Sequence, residues 1–284
     1  MALEWARTVF FLGLLTGLLI VIGNILGGTE GMIVAFIFAA VMNFVSYFFS
    51  DKIVLAMYRA KPVETTTTQG ARIERLVTRA AGKMNIPMPR LYMVESKSPN
   101  AFATGRGPKH AAVAFTGGIL DLLDDEELEG VIAHELSHVK NRDVLISSIA
   151  ATIAGAIGML AFMLQFAAFG SRNGEGRNPI GLLLMAIVVP IIATLIQLAV
   201  SRSREYHADE TAAHTLSNGK GLARALGKLE RGIHHHPMRS ANQGTAHLFI
   251  ANPFSGKALL GLLATHPPMD DRIARLEKMT FDKR

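Results

Sequence analysis

His134-Glu135-Leu136-Ser137-His138 lies near the middle of the 284-residue chain and decides how the rest is read. On a helix, residues four apart stand one above the other, so the two imidazoles share a face and can grip one zinc ion. Glu135 follows the first histidine and stands beside that ion, where a carboxylate serves as general base in metal-assisted peptide hydrolysis. The flanks predict a helix. Asp124 and Glu127 form a capping-box pattern, and Leu128, Val131, Ile132 and Val139 supply an apolar stripe. The competing reading is two solvated histidines on an ordinary helix, so a third ligand is required.

Outward from this helix the chain is unusually apolar. Half of its residues are hydrophobic and 18% are charged, which points to membrane spans rather than an ordinary soluble domain. Four runs without a charge, 8–29, 31–50, 144–171 and 178–201, are each long enough to cross a bilayer as a helix. Only Glu30, within Gly27-Gly28-Thr29-Glu30-Gly31, separates the first two, which predicts a helical hairpin. The expected organisation is therefore a hairpin of spans at 1–50, a first soluble part at 51–143 carrying the His-Glu helix, a second hairpin at 144–201 and a second soluble part at 202–284.

Within 51–143 the periodicity predicts a helix over 69–84 and strands over 90–95, 101–104 and 111–116. A strand so close to the His-Glu helix has a mechanical use, because its open edge can pair with an extended peptide. The third uncharged run begins six residues after His138 with no breaker between, so the helix is expected to continue into the membrane. Pro190 is expected to kink the fourth span. Further on, helices are predicted over 202–218 and 221–232, then a turn-rich stretch with His234, His235 and His236 in a solvated loop, then a last helix opened by Pro267 and Pro268.

Several classes are excluded. The chain has no cysteine, so there is no disulfide, thiolate metal site or thiol nucleophile. It has no Gly-x4-Gly-Lys-Ser/Thr phosphate loop, so no nucleotide is expected. The net charge of +6 is attributed to loops facing lipid rather than to nucleic acid. Segments 51–143 and 202–284 carry 13 Lys and Arg each, against Arg172 and Arg177 in the loop between the third and fourth runs. The positive-inside rule then puts both soluble segments and both termini in the cytoplasm.

The third ligand must come from downstream. In Ser203-Arg204-Glu205-Tyr206-His207-Ala208-Asp209, Glu205 and Asp209 share a helix face. Glu205 can complete a zinc site with one open position, while Asp209 accepts the free ring N–H of a ligand histidine. His207 is a rival third ligand, on a different face.

These residues carry a resemblance. The segment 100–105 (Asn-Ala-Phe-Ala-Thr-Gly) and the His-Glu-Leu-Ser-His helix lie between the apolar hairpins, and the segment 205–209 and His266-Pro267-Pro268 with Arg272 follow the second, in this order. Over nearly its whole length the chain resembles the HtpX family of membrane-bound zinc endopeptidases, relatives of the CAAX prenyl proteases. The resemblance implies a gluzincin-type α+β fold combined with four transmembrane helices in a bacterial-type inner membrane. It implies zinc bound by His134, His138 and Glu205, with Glu135 as base and Asp209 behind His134. It also implies His266 and Arg272 near the site, stabilising the oxyanion, and Asn100 on substrate backbone. The activity implied is ATP-independent endoproteolysis of misfolded or damaged proteins. Two alternatives stay open: a specific processing protease of CAAX type, and a non-catalytic zinc-binding membrane scaffold.

Overall fold

The computed structural model describes residues 2–170, 179–235, 250 and 267–281. It is a mixed α+β structure, rich in helix, with one small sheet. In chain order the elements are α1 (Ala2–Met57), β1 (Lys61–Pro62), α2 (Thr68–Met84), β2 (Arg90–Val94), β3 (Ala101–Thr104), β4 (Ala112–Thr116), α3 (Gly117–Leu122), α4 (Asp125–Lys140), α5 (Asp143–Gly170), α6 (Pro179–Leu216), α7 (Lys220–His235) and α8 (Met269–Glu277). A 3-10 turn over Pro108–His110 interrupts the loop before β4. The chain forms two compact units. One comprises Phe48–Val144 with Arg202–Arg284, the other Ala2–Tyr47 with Leu145–Ser201.

In the first unit the sheet order is β1-β2-β4-β3. β4 runs parallel to β2 and antiparallel to β3, and all five of its residues are buried. β3 is thereby left as an edge strand. The core lies between α2, α4 and α7. Ile73, Leu76, Val77 and Ala80 of α2 meet Leu128, Val131, Ile132 and Leu136 of α4 and Leu222, Leu226 and Leu229 of α7. The spacing three and four along each helix builds the apolar face that this packing needs. Gly130 sets how closely α4 and α7 approach. A Cβ there would lie 2.7 Å from the backbone nitrogen of Leu222, so only glycine fits.

The second unit has its own core, from Leu15 and Leu19 of α1, Ile153 and Ile157 of α5, and Val189 and Ile196 of α6. Its remaining faces are apolar too. Val9 and Phe10 are each 64% exposed, and Val34, Leu184, Ile187 and Ile191 are exposed as well. Among the described residues, one helical stretch, Leu184–Leu216, is long and apolar enough to cross a membrane.

Several elements differ from expectation. α1 joins two helices across a kink at Gly28, inside the stretch read as a turn; its φ of 58° is the left-handed region open to glycine. Pro190, where a kink was expected, lies inside α6, which runs on through it. The fourth uncharged run and the helix expected over 202–218 are one helix, since 199–204 contain neither Gly nor Pro. His234 and His235 close α7 instead of lying in a loop, and His236 lies outside the described residues. The His-Glu helix does not run on into the next apolar run. Asn141 ends α4, Arg142 turns the chain with φ 56°, and α5 restarts at Asp143. On an unbroken helix, residues five apart lie about 140° apart around the axis, out of reach of each other. The break brings Asp143 back to His138.

Candidate metal centre

The capping box begins α4. Asp124 accepts from the Glu127 N–H at 2.9 Å, and Glu127 accepts from the Asp124 N–H at 3.0 Å. Two turns later His134 and His138 project from one face, with Nε2 atoms 3.2 Å apart. α6 supplies Glu205, whose Oε2 is 3.6 Å from His134 Nε2 and whose Oε1 is 3.4 Å from His138 Nε2. One donor atom from each of the three lies within 4.8 Å of the others. Among the described residues this is the group of three such side chains, and His207 is not in it.

Both imidazoles are held from behind. His134 Nδ1 lies 2.9 Å from Asp209 Oδ1, as the i, i+4 spacing with Glu205 suggested. His138 Nδ1 lies 2.7 Å from Asp143 Oδ2. Each aspartate is gripped in turn by a buried guanidinium. Arg272 chelates Asp209, with Nε to Oδ2 at 2.8 Å and Nη2 to Oδ1 at 2.7 Å. Arg204 Nε donates to Asp143 Oδ1 at 2.6 Å, and Arg204 Nη2 pairs with the same oxygen. Asp143 and Arg204 were not anticipated from the sequence. The signal was present: a carboxylate five residues past the second histidine, and a cation adjoining the candidate ligand Glu205.

This arrangement fits a zinc ion. Each Nδ1 faces a carboxylate and so carries its hydrogen, which leaves both Nε2 atoms as lone pairs pointing at one another and at carboxylate oxygens. Positive charge relieves this convergence: Arg272 Nη2 already lies 3.3 Å from His134 Nε2, and a cation held between the donors would relieve it more fully. Two nitrogens on a tetrahedral zinc, with bonds of 2.0–2.1 Å, stand about 3.3 Å apart, close to the separation found here. Burial disfavours a charged His134, but the hydrogen bond and charge of Asp209, joined by Glu205, outweigh it and carry the imidazole up to about 10. The His138 imidazole is likewise raised, with Asp143 and Glu205 outweighing burial. Both shifts report a site built to hold positive charge.

Glu135 is buried beside the histidines. Its Oε2 accepts the Ala103 N–H of β3 at 2.8 Å. Burial pushes its carboxyl above the usual carboxylate range, against the opposing pull of His134 and His138. Asn100 is buried, and its Oδ1 accepts the Ile250 N–H at 3.2 Å, so it holds backbone of its own chain. Arg272 is fully buried; besides Asp209 it reaches Glu205 Oε2 and the Ile250 carbonyl, at 3.3 and 3.4 Å. His266 lies outside the described residues.

Comparison with known proteins agrees with this centre. Residues 67–280 match the family model described as peptidase family M48. A "Protease HtpX homolog" of Syntrophobacter fumaroxidans is 52% identical over 279 residues, covering 96% of this chain and 98% of that one. Proteins of the same description from Aquifex aeolicus and Pyrococcus furiosus are 54% and 49% identical, over 92% and 98% of this chain and 88% and 96% of theirs. The crystal structure of S. mikatae Ste24p shares the fold, with a TM-score of 0.59 and 16% identity over 98% of this chain and 67% of that one. The chain therefore belongs to peptidase family M48, and it is a zinc metalloprotease that acts on protein or peptide substrates.

Proposed function

We propose that His134, His138 and Glu205 hold the zinc, that Glu135 is the catalytic base, and that the chain works as an integral-membrane endopeptidase. The convergence of two Nε2 lone pairs and a carboxylate, next to a second buried carboxylate, carries this reading. A zinc ion held by His134, His138 and Glu205 would supply Lewis-acid chemistry, polarising a carbonyl and lowering the pKa of a water towards neutral. Glu135, with its affinity for protons raised by burial, takes a proton from that water and returns it to the leaving amine. Its hydrogen bond from Ala103 ties it to β3. An extended substrate segment adding to the β3 edge therefore lies against the base. Asp209 and Asp143 fix the tautomers of the two ligand rings, and Arg272 and Arg204 fix the aspartates.

The runs 8–29, 31–50, 144–171 and 178–201 act as four spans. Exposed apolar side chains on the second unit support this, since water-soluble surfaces rarely gather so many. Segments 51–143 and 202–284 make the protease part, on the cytoplasmic side with both termini. The substrates are misfolded or damaged membrane proteins, cleaved without ATP. The direct test is casein digestion by the detergent-purified chain. Digestion stops with a chelator and returns on adding zinc; digestion indifferent to the chelator would refute the reading.

The aspartate behind His138 gives a separate prediction. Asp143→Asn lowers zinc affinity about 10- to 100-fold, the usual effect of removing a partner that orients a ligand histidine. Competition with a chromogenic chelator measures it. An affinity equal to that of the native chain would mean that Asp143 does not orient the ligand.

A further inference from the structure

A second cavity, of about 500 Å³, opens in the first unit beside the C-terminal part of α1, and it shares no lining residue with the metal centre. Its described lining includes four cations, Lys52, Arg90, Arg106 and Lys109, against one carboxylate, Asp51. Asp51 is taken by Arg90 at 2.7 Å. The lining therefore holds three more cations than carboxylates. Its wall is also apolar. Phe48, Phe49 and Met88 line it and are 37%, 48% and 44% exposed. The cations lie over the rings: Arg106 Cζ stands 5.1 Å from the Phe48 centroid and Lys52 Nζ 5.9 Å from that of Phe49. This stacking directs both side chains along the ring faces. The position matters as well. The uncharged run 31–50 ends at the residue before Asp51, so the cavity lies where an apolar helix meets the first charges.

A cluster of cations over aromatic rings at the end of an apolar helix matches a ligand with a phosphate and a hydrocarbon end. We propose that this cavity binds the headgroup of an anionic phospholipid, with Lys52, Arg106 and Lys109 on the phosphate and the two rings against the glycerol and upper acyl carbons. The proposal rests on the membrane reading above. Free phosphate offers the same charge but has no use for two exposed rings. Basic residues at a membrane surface each contribute about a fivefold gain in affinity for anionic lipid.

The test uses the full chain in a neutral detergent, titrated with phosphatidylglycerol, phosphatidylcholine or inorganic phosphate, with bound copies counted by native mass spectrometry. The native chain is expected to retain phosphatidylglycerol in preference to phosphatidylcholine. K52Q/R106Q/K109Q changes three exposed side chains and is expected to lose affinity for phosphatidylglycerol about 100-fold, with casein digestion retained. Lys109→Gln alone, which disturbs the fold least, loses about fivefold. Equal retention by native chain and variants, or no preference between the two lipids, overturns the proposal. Displacement of phosphatidylglycerol by an equal concentration of inorganic phosphate overturns the lipid assignment. Carbonate washing of membranes separates the two readings. A native chain that washes off defeats the membrane reading, whereas one that stays but shows no lipid preference defeats the cavity proposal alone.

Discussion

Glu135→Gln is expected to slow peptide-bond hydrolysis about a thousandfold while zinc content stays at that of the native chain. A positioned general base contributes roughly 10²- to 10⁴-fold, and the amide cannot accept the proton. The substitution is otherwise conservative. The Gln carbonyl oxygen can still accept the Ala103 N–H, as the Glu135 carboxylate does at 2.8 Å, so β3 and α4 keep their contact. Side chains behind the histidines are untouched, so the metal remains. Metal analysis and casein digestion on one preparation give both readouts. A variant retaining more than about a tenth of the native rate, with its zinc in place, would remove Glu135 from the role.

Glu205→Ala produces the opposite pattern, with metal and activity lost together. Zinc in catalytic sites takes three protein ligands, and Glu205 is the only oxygen donor of the three. Its removal also takes away a partner of Arg272, 3.3 Å from Glu205 Oε2, and so loosens the group that fixes Asp209. Zinc is expected to fall from about one per chain to below about 0.1 after dialysis. His207→Ala serves as the contrast. That residue lies on the same helix, outside the donor group, and its variant is expected to keep its zinc. Retention of zinc by Glu205→Ala, or its loss from His207→Ala, would reassign the third ligand.

What could be read from the sequence follows from the range of the interactions involved. The His-Glu helix was legible because its cap and its metal face are both local: the cap spans three residues and the histidines four. Glu205 and Asp209 were legible as a pair for the same reason. The partners across space were not. Arg204 and Asp143 are 61 residues apart, Arg272 and Asp209 are 63, and no periodicity encodes such pairings. The break between α4 and α5 was missed because it depends on Arg142 adopting a left-handed backbone, which propensity assigns to glycine or asparagine. The hydrogen bond from the Ile250 N–H to Asn100 Oδ1, across 150 residues, is likewise a contact that only the fold creates.

The paired His–Asp–Arg chains have an electrical consequence. Glu135, Glu205, Asp143 and Asp209 are all buried, and so are Arg204 and Arg272. With the imidazoles neutral, four acids and two bases leave this pocket two elementary charges short of balance. An interior of low polarity does not tolerate that deficit, and a doubly charged ion cancels it completely. Two protons on His134 and His138 would close the same deficit, so a dication entering this pocket is expected to displace protons from the imidazoles as it binds.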